Sequence, residues 1–197
     1  MKMTDTAGRI ATLVAASFLV AGTALAQDAD TEIGADATPE ATLDTTPQPV
    51  ANNSSFGNWI VTCQAVTTRD TACRLVQEQS LTETNQLVAR FIALPAEKDA
   101  AILLAQVPMG AYLPGGAVYR IADRDDLEQR SMIWQRCLGQ LCEAAIKLEA
   151  DEIATMADGG AILFGYRMDA GADPIILRVE TAAFADGVAA IRPQLSN

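Results

Sequence analysis

The sequence predicts a mainly β protein: a two-layer antiparallel β-sandwich with one or two short helices. Three observations support this fold class. Short apolar segments alternate with polar residues at a period of two, turn signals rich in Gly, Pro, Asp and Thr separate these segments, and four cysteines fall into two close pairs. At 197 residues, the chain is long enough for one such domain plus extensions.

Period-two alternation predicts seven to nine strands. Residues 58–66 show it well, because Trp59, Val61 and Cys63 fall on one face of the strand. Residues 100–106 are nearly all apolar, which suits either a buried strand or a short helix. The full set of strand candidates is 58–66, 73–79, 86–94, 100–106, 117–122, 131–137, 142–148, 161–168 and 174–181.

Two segments have helical character instead. Residues 149–157 place Ile153 and Met156 three positions apart, and Gly159-Gly160 follows as a stop signal. Residues 182–191 have apolar side chains at helical spacing and are expected to end the domain as a second short helix.

The charge balance narrows the classes of partner. Lys and Arg number 14 and Asp and Glu number 25, so the net charge is -11. An acidic surface repels the phosphate backbone, and we therefore expect no nucleic-acid partner. The chain also has no polybasic patch for an anionic membrane surface.

The N-terminus predicts export. Lys2 and Arg9 form a basic region, the next residues form an apolar run, and Ala24-Leu25-Ala26 matches a signal peptidase site. We therefore predict that residues 1–26 are a cleaved signal peptide, and that no transmembrane segment follows it. A transmembrane anchor is the alternative, but the apolar run is short for a bilayer.

Two further regions follow the signal peptide. Residues 27–55 contain six acidic residues, scattered Pro, Thr and Ala, and no Lys or Arg, so they are predicted to be a disordered acidic tether. Residues 56–197 are predicted to be the folded domain. The expected location is the periplasm or the exterior of the cell.

Export determines how the cysteines are interpreted. In an oxidising compartment an even number of cysteines indicates disulfides, and four cysteines allow three pairings. The spacing favours the local pairs Cys63 with Cys73 and Cys137 with Cys142. Zinc would use four thiols as well, but these spacings differ from those of common zinc sites. Trp59 shares a face with Cys63, so its indole is expected to pack in the core beside that sulfur.

No catalytic constellation is present in the sequence. The chain has no histidine, which removes Ser–His–Asp and Cys–His catalysis and the usual imidazole metal site. A carboxylate-pair hydrolase stays open as a distant alternative, although nothing singles out two carboxylates. The acidic cluster 123–128 lacks the glycine of a calcium loop and is interpreted as a solvated turn. We expect no catalytic residue, metal or cofactor.

Three aromatic residues are candidates for a ligand surface: Tyr112, Tyr119 and Trp134. Tyr119 and Trp134 lie in strand patterns, where packing in the core or across strands is the more common use of an aromatic side chain.

Several motifs together resemble the invasion-associated locus B family of exported bacterial proteins. The resemblance covers roughly residues 56–191. Its carriers are Phe56-Gly57-x-Trp59 followed by Cys63, Cys73-Arg74-Leu75, Pro108-Met109-Gly110, Leu113-Pro114-Gly115-Gly116, Cys137-x-x-Gly139-x-x-Cys142-x-Ala144 and Phe184-x-x-Gly187-x-x-Ala190. The closing motif departs from the family in having Ala183 before Phe184.

The resemblance implies an immunoglobulin-like β-sandwich in the periplasm or at the outer membrane, with no catalytic residues to carry over. The family name records a link with host-cell entry, which is a phenotype and not a chemistry. We expect a non-enzymatic protein that binds a protein or envelope component. The alternative is a periplasmic envelope-assembly or stress factor that acts through a sheet edge or a groove.

Overall fold

The computed structural model describes residues 50–68 and 70–192. The predicted signal peptide, most of the predicted tether and the last five residues of the predicted domain lie outside these ranges. The described residues form ten strands and two helices. They are β1 Ser55–Phe56, β2 Trp59–Ala65, β3 Thr71–Ser80, β4 Leu87–Pro95, β5 Ala101–Pro108, β6 Ala117–Ile121, β7 Arg130–Leu138, β8 Leu141–Leu148, α1 Ala150–Asp158, β9 Ala161–Tyr166, β10 Ile175–Glu180 and α2 Phe184–Ile191.

The prediction of a mainly antiparallel β protein with two short helices is confirmed. The strands form one curled sheet in the order β1-β2-β3-β4-β5-β8-β7-β6-β9-β10, rather than two separate sheets. β1 has two residues, too few for a periodic pattern, and was not predicted as a strand. The ambiguous segment 100–106 is strand β5, whose residues alternate between buried and more exposed.

β7 is the strand at which the sheet turns from one layer to the other. Its first residues pair with β6, its later residues pair with β8, and the register shifts between Trp134 and Arg136. An extra residue of this kind bends a strand and increases its twist. The first layer comprises β1 to β5, β8 and the later part of β7, and the second comprises β6, β9, β10 and the start of β7.

The chain order explains why the sheet closes into a sandwich. β6, β7 and β8 are joined in sequence, and β5 lies beside β8 rather than beside β6. This order is that of a Greek key, which is common in β-sandwiches. The inner faces then meet in aromatic contacts: the rings of Phe91 and Phe164 are 5.1 Å apart at 86°. Such edge-to-face pairs contribute about 0.5–1.5 kcal/mol beyond area burial.

α2 covers part of the inner face of the first layer. Trp59 is 1% exposed, its ring lies 4.9 Å from that of Phe184, and its Nε1–H donates to the carbonyl of Glu180 at 2.9 Å. The helix comes very close to β3, since a Cβ built on Gly187 would lie 2.7 Å from Leu75 Cδ1. Trp59 is therefore a core residue that joins β2, β10 and α2.

The folded part begins earlier than residue 56, where the sequence placed its boundary. Asn53 N–H donates to Val61 O at 2.9 Å, Val61 N–H donates to Ser54 O at 2.8 Å, and the Asn52 side chain accepts from the backbone of Cys63 at 2.9 Å. These residues supply hydrogen-bond partners for backbone groups on the outer edge of β2. Their polar sequence has no apolar period, so the hydrophobic pattern gave no sign of this role.

Both predicted cysteine pairs are disulfides. Cys63 and Cys73 are directly opposite on β2 and β3 with Cα atoms 4.0 Å apart, and Cys137 and Cys142 are opposite on β7 and β8 at 3.9 Å. They lie at opposite ends of the first layer.

The turn inside the second disulfide is tighter than predicted. Leu138 pairs with Leu141, so two residues join the strands and not four. Gly139 has a φ of 63°, which fits the first loop residue of a type II′ hairpin. Gly57, with a φ of 58°, plays the same part in the β1–β2 turn, where Phe56 pairs with Trp59. Gly57 and Gly139, which both belong to the family motifs, are thus turn residues.

Candidate functional site

One end of the sandwich is left open as an apolar cleft. It lies where β3 ends and β4 begins, opposite the inner face of β9 and β10, and has a volume of about 400 Å³. Within the described part of the chain, no Asp or Glu lines it. The lining residues are Gln79, Ser80, Leu81, Gln86, Leu87, Val88, Pro108, Tyr166, Met168, Ile175 and Leu177. We call this feature the open-end cleft.

The floor of the open-end cleft is fixed by Tyr166. Its side chain is buried, and its hydroxyl donates to the carbonyl of Val88 at 3.0 Å, which joins β9 to β4. Burial raises the pKa of the Tyr166 hydroxyl, because the apolar surroundings favour the neutral form that donates this hydrogen bond. Leu81, at 50% exposed, and Met168, at 40%, stand at the mouth.

Loops that carry the family motifs build the rim. Met109 N–H donates to Gln140 O at 2.8 Å, which ties the end of β5 to the disulfide-closed β7–β8 turn. Tyr112 N–H donates to Arg167 O at 2.8 Å and ties the following loop to the end of β9. The Leu113–Gly115 segment is a single 3-10 turn. Motifs that are far apart in sequence therefore meet at one end of the fold.

β10 borders the open-end cleft and is the last strand of the sheet. Thr181 N–H donates to Gly160 O at 2.8 Å, so the backbone of Thr181 points toward β9. In an antiparallel pair the backbone groups of successive residues point alternately toward and away from the neighbouring strand, and those of Ile176 and Arg178 therefore point away from β9. Among the described residues, no backbone hydrogen bond reaches these two outward positions. Such an edge is able to pair with an added strand.

A second hollow lies on the other side of β10. It has a volume of about 320 Å³ on the outer face of β6, β9 and β10, and Ile176, Val118 and Leu163 form its apolar part. Gly165 has no side chain and so deepens its floor. An extended chain beside β10 would point alternate side chains toward the open-end cleft and toward this hollow.

Buried polar groups occur close to the open-end cleft. Gln77 is 3% exposed, and both polar atoms of its side chain lack a hydrogen-bond partner in the described part of the chain. It lies two residues before Gln79 on the inward face of β3. An unsatisfied buried amide costs about 1–3 kcal/mol, so this position is locally unfavourable to the fold.

The aspartates of the 123–128 cluster are paired with arginines. In the 123–128 turn, Arg124 binds both carboxylate oxygens of Asp126 at 2.8 Å, and this bond lowers the pKa of Asp126. Asp125 pairs with Arg120 at 3.0 Å and Asp123 with Arg178 at 3.6 Å. The cluster is an ion-paired turn. In the described ranges, no group of three His, Cys, Asp or Glu is placed to hold a metal ion.

A third depression, of about 230 Å³, does contain carboxylates. Glu152 on α1 accepts from the Tyr119 hydroxyl and from Arg130 Nη1, the latter at 2.7 Å. A carboxylate that accepts two hydrogen bonds suits structural support better than proton donation. Burial, together with the bond to Glu152, raises the pKa of Tyr119.

The other two aromatic residues do not share one surface with Tyr119. Trp134 packs against the core and its indole Nε1 is buried without a described partner. Tyr112 is half-buried beside Gly115 in the rim loop.

The residues that line the open-end cleft were not singled out from the sequence. Leu81, Leu87 and Met168 are ordinary apolar residues at strand ends or in turns, where no period reveals a shared surface. The available signal was the set of turn motifs that form the rim. Neither α1 nor α2, the helices of the described ranges, has the length and apolar character of a membrane-spanning helix.

The family described as "Invasion associated locus B (IalB) protein" matches residues 59–192. Two invasion protein B homologs, from Brucella abortus strain 2308 and from Brucella abortus biovar 1 strain 9-941, are each 29% identical over 133 residues, covering 66% of this chain and 73% of the relative.

A solved structure supports the fold. The crystal structure of invasion associated protein B from Bartonella henselae superposes with a TM-score of 0.61 at 13% identity, covering 72% of this chain and 95% of that one. The family match spans well over half of the chain, including both disulfides and the open-end cleft. The chain belongs to the invasion associated locus B family.

Proposed function

We propose that this chain is an exported, non-enzymatic binding protein that holds an extended apolar segment of a protein or envelope partner in the open-end cleft. The observation that carries the proposal is the combination of an apolar cleft with an unpaired edge at β10. Backbone groups at such an edge supply affinity, while pockets for alternate side chains supply specificity.

Export has its own support. Residues 1–26 have the pattern of a signal peptide, and the two disulfides suit an oxidising compartment such as the periplasm. Mass spectrometry of the exported protein is expected to give Gln27 as the first residue and a mass lower by four hydrogens than that of the reduced chain. A chain that retains residues 1–26, or that has free thiols, would contradict this part of the proposal.

The edge and the cleft also suit the alternative role, an envelope-assembly or stress factor, because that role too would use a sheet edge or a groove. The names of the relatives refer to invasion, and a link between this chain and host-cell entry is part of the proposal. The two roles differ in the partner: one surface component in the first case, and many unfolded envelope proteins in the second.

Site-specific photocrosslinking tests the proposal. A photoreactive side chain at Leu81, in the mouth of the cleft, is expected to give discrete adducts in the native envelope. Val66 is a matched control, since it is 63% exposed but lies in the β2–β3 turn, away from the cleft. Adducts of one mass favour a single surface partner, and a ladder of many masses favours the assembly role. Equal crosslinking from Leu81 and Val66, or none from Leu81, would overturn the binding site.

A further inference from the structure

The outer face of the first layer carries a row of apolar side chains across six strands. In register, Ile60 lies beside Val76, Val76 beside Ile92, Ile92 beside Leu104, Leu104 beside Ala145, and Ala145 beside Ile133. The two ends of the row are the exposed part, since Ile60 is 40% and Ile133 71% exposed, whereas Ile92 is only 7% exposed. The solvent-facing side of an antiparallel sheet is usually polar, so this apolar row is unusual.

A charged row runs beside the apolar row, two residues away on β3, β4, β5 and β8 and three residues away on β7, where the register shifts. Its members in strand order are Glu78, Arg90, Gln106, Glu143 and Arg136. Neighbours are paired within the chain: Arg90 with Glu78 at 2.6 Å, Gln106 with Glu143 at 2.8 Å, and Arg136 with Glu143 at 3.6 Å. The side chains of Arg90, Glu78 and Arg136 remain 36%, 49% and 66% exposed, so they have capacity for further partners, whereas that of Glu143 is 13% exposed and is already paired with Gln106 and Arg136.

The charged row would be electrostatically complementary to a second copy of itself that runs in the opposite direction. From β3 to β7 its charges are negative, positive, neutral, negative and positive. In the reversed copy, each charged position has the opposite sign. If two copies met face to face about a two-fold axis parallel to β5, Glu78 would face Arg136 and Arg90 would face Glu143. On the same axis the protruding Ile133 would face the half-buried Val76.

We propose that this face is the contact surface of a homodimer, with the apolar row at its centre and the charged row at its rim. Symmetric dimers use one self-complementary patch on both copies, as this face provides. Five strands about 4.8 Å apart and the two rows about 7 Å apart give on the order of 340 Å² per copy. A dimer would therefore bury about 700 Å², an area typical of weak contacts, so the dimer is reversible and forms only at high concentration.

Charge reversal tests this dimer without relying on the open-end cleft. Sedimentation velocity of the full chain, as its cell produces it, is expected to show a concentration-dependent dimer. Glu78→Arg puts two Arg–Arg contacts into a homodimer, and Arg136→Glu puts two Glu–Glu contacts into it. Each variant alone is expected to dimerise at least about tenfold more weakly. An equimolar mixture of the two is expected to dimerise like the unaltered chain, since every facing pair is then opposite in sign.

Asp126→Arg and Arg124→Glu are matched controls, because they reverse the same charges in an exposed ion pair outside this face. Both are expected to leave dimerisation unchanged. A chain that stays monomeric at about 200 μM would overturn the proposal, as would a mixture of the Glu78 and Arg136 variants that fails to recover the dimer. Circular dichroism spectra that match the unaltered chain establish that the loss in each single variant reflects the interface and not unfolding.

Discussion

The region under α2 and the open-end cleft are built from similar apolar side chains, but these side chains are buried under α2 and partly exposed at the cleft. Under α2, Trp59, Phe184 and Leu75 are almost completely buried, and the helix approaches β3 so closely that Gly187 has no room for a methyl group. At the cleft, Leu81 and Met168 remain about half exposed. Apolar composition alone therefore does not decide what becomes core.

The difference lies in what the chain places over each part of the first layer. The segment after β10 returns as a helix that fills the space beside β2 and β3, whereas the β3–β4 turn, among the described residues, leaves Leu81 50% exposed. Filled apolar surface stabilises the fold at about 25 cal/mol per Å². Unfilled apolar surface is available for a partner instead. Substitutions under α2 should therefore lower the free energy of unfolding, whereas substitutions at the cleft should mainly weaken partner binding.

The largest expected effect is at Trp59. Trp59→Ala removes a fully buried indole, its contact with Phe184 and its hydrogen bond to Glu180. We expect the free energy of unfolding to fall by about 4 kcal/mol, measured by urea denaturation. A loss under about 1 kcal/mol would show that the α2 region is not the well-packed part of the molecule.

The two disulfides allow a comparison of the two ends of the first layer. In the chain-entropy view, stabilisation grows with the closed loop, and the sequence separations are 10 and 5. Replacing both Cys63 and Cys73 by Ala should cost about 3 kcal/mol, and replacing both Cys137 and Cys142 about 2 kcal/mol. If the Cys137/Cys142 variant is the less stable of the two, that disulfide contributes more to stability than the length of the loop it closes predicts.

Gly187 tests how tightly α2 is packed. Gly187→Ala would place a methyl group against Leu75 and Phe56, and Leu75 is fully buried with little room to move. Overpacking costs typically 1–3 kcal/mol, while helix propensity returns about 1 kcal/mol. We expect a net loss of about 1 kcal/mol in thermal unfolding. A gain in stability would mean that the contact under α2 is loose.

Alkaline pH should weaken the region near α1. The pKa of Tyr119 is raised in the fold, so the folded state keeps its proton while the unfolded state loses it above about pH 10. The stabilising contribution is complete below pH 10 and declines as the pH rises further. Urea denaturation should show a steeper loss above pH 10 for the unaltered chain than for Tyr119→Phe. Tyr112→Phe, at a half-exposed position, is the control and should keep the steep slope.

The smallest expected effect is at the open-end cleft. Leu81→Asp replaces a half-exposed residue in a turn, so the free energy of unfolding should change by no more than about 0.5 kcal/mol. With the photoreactive side chain moved to Met168, which stands at the same mouth, Leu81→Asp should lose the crosslinked partner, because a carboxylate in an apolar cleft must give up its hydration when a partner binds. A large loss of stability would show that the cleft is part of the core after all.

Local pattern predicted much of this architecture. Eight of the strands and both helices match apolar periods in the sequence, the apolar run 100–106 that suited either a strand or a helix is β5, and cysteine spacing indicated both disulfide pairs. β1 and the ordered residues before it were missed, since Asn52, Asn53 and Ser54 act through backbone and side-chain hydrogen bonds that have no apolar signature. The length of the β7–β8 turn was also wrong, because pairing extends past the cysteines to Leu138 and Leu141.

The sequence by itself determined the class of the fold, the family and the pairing of the cysteines, because each depends on residues close together in the chain. Only the tertiary structure decided that the two layers belong to one curled sheet, that α2 packs over one region and that apolar side chains from several strand ends meet in the open-end cleft. The cleft joins the ends of β3, β4, β5, β9 and β10, and the rows on the outer face join residues from six strands. Surfaces of this kind depend on strand order and register, which no local period encodes.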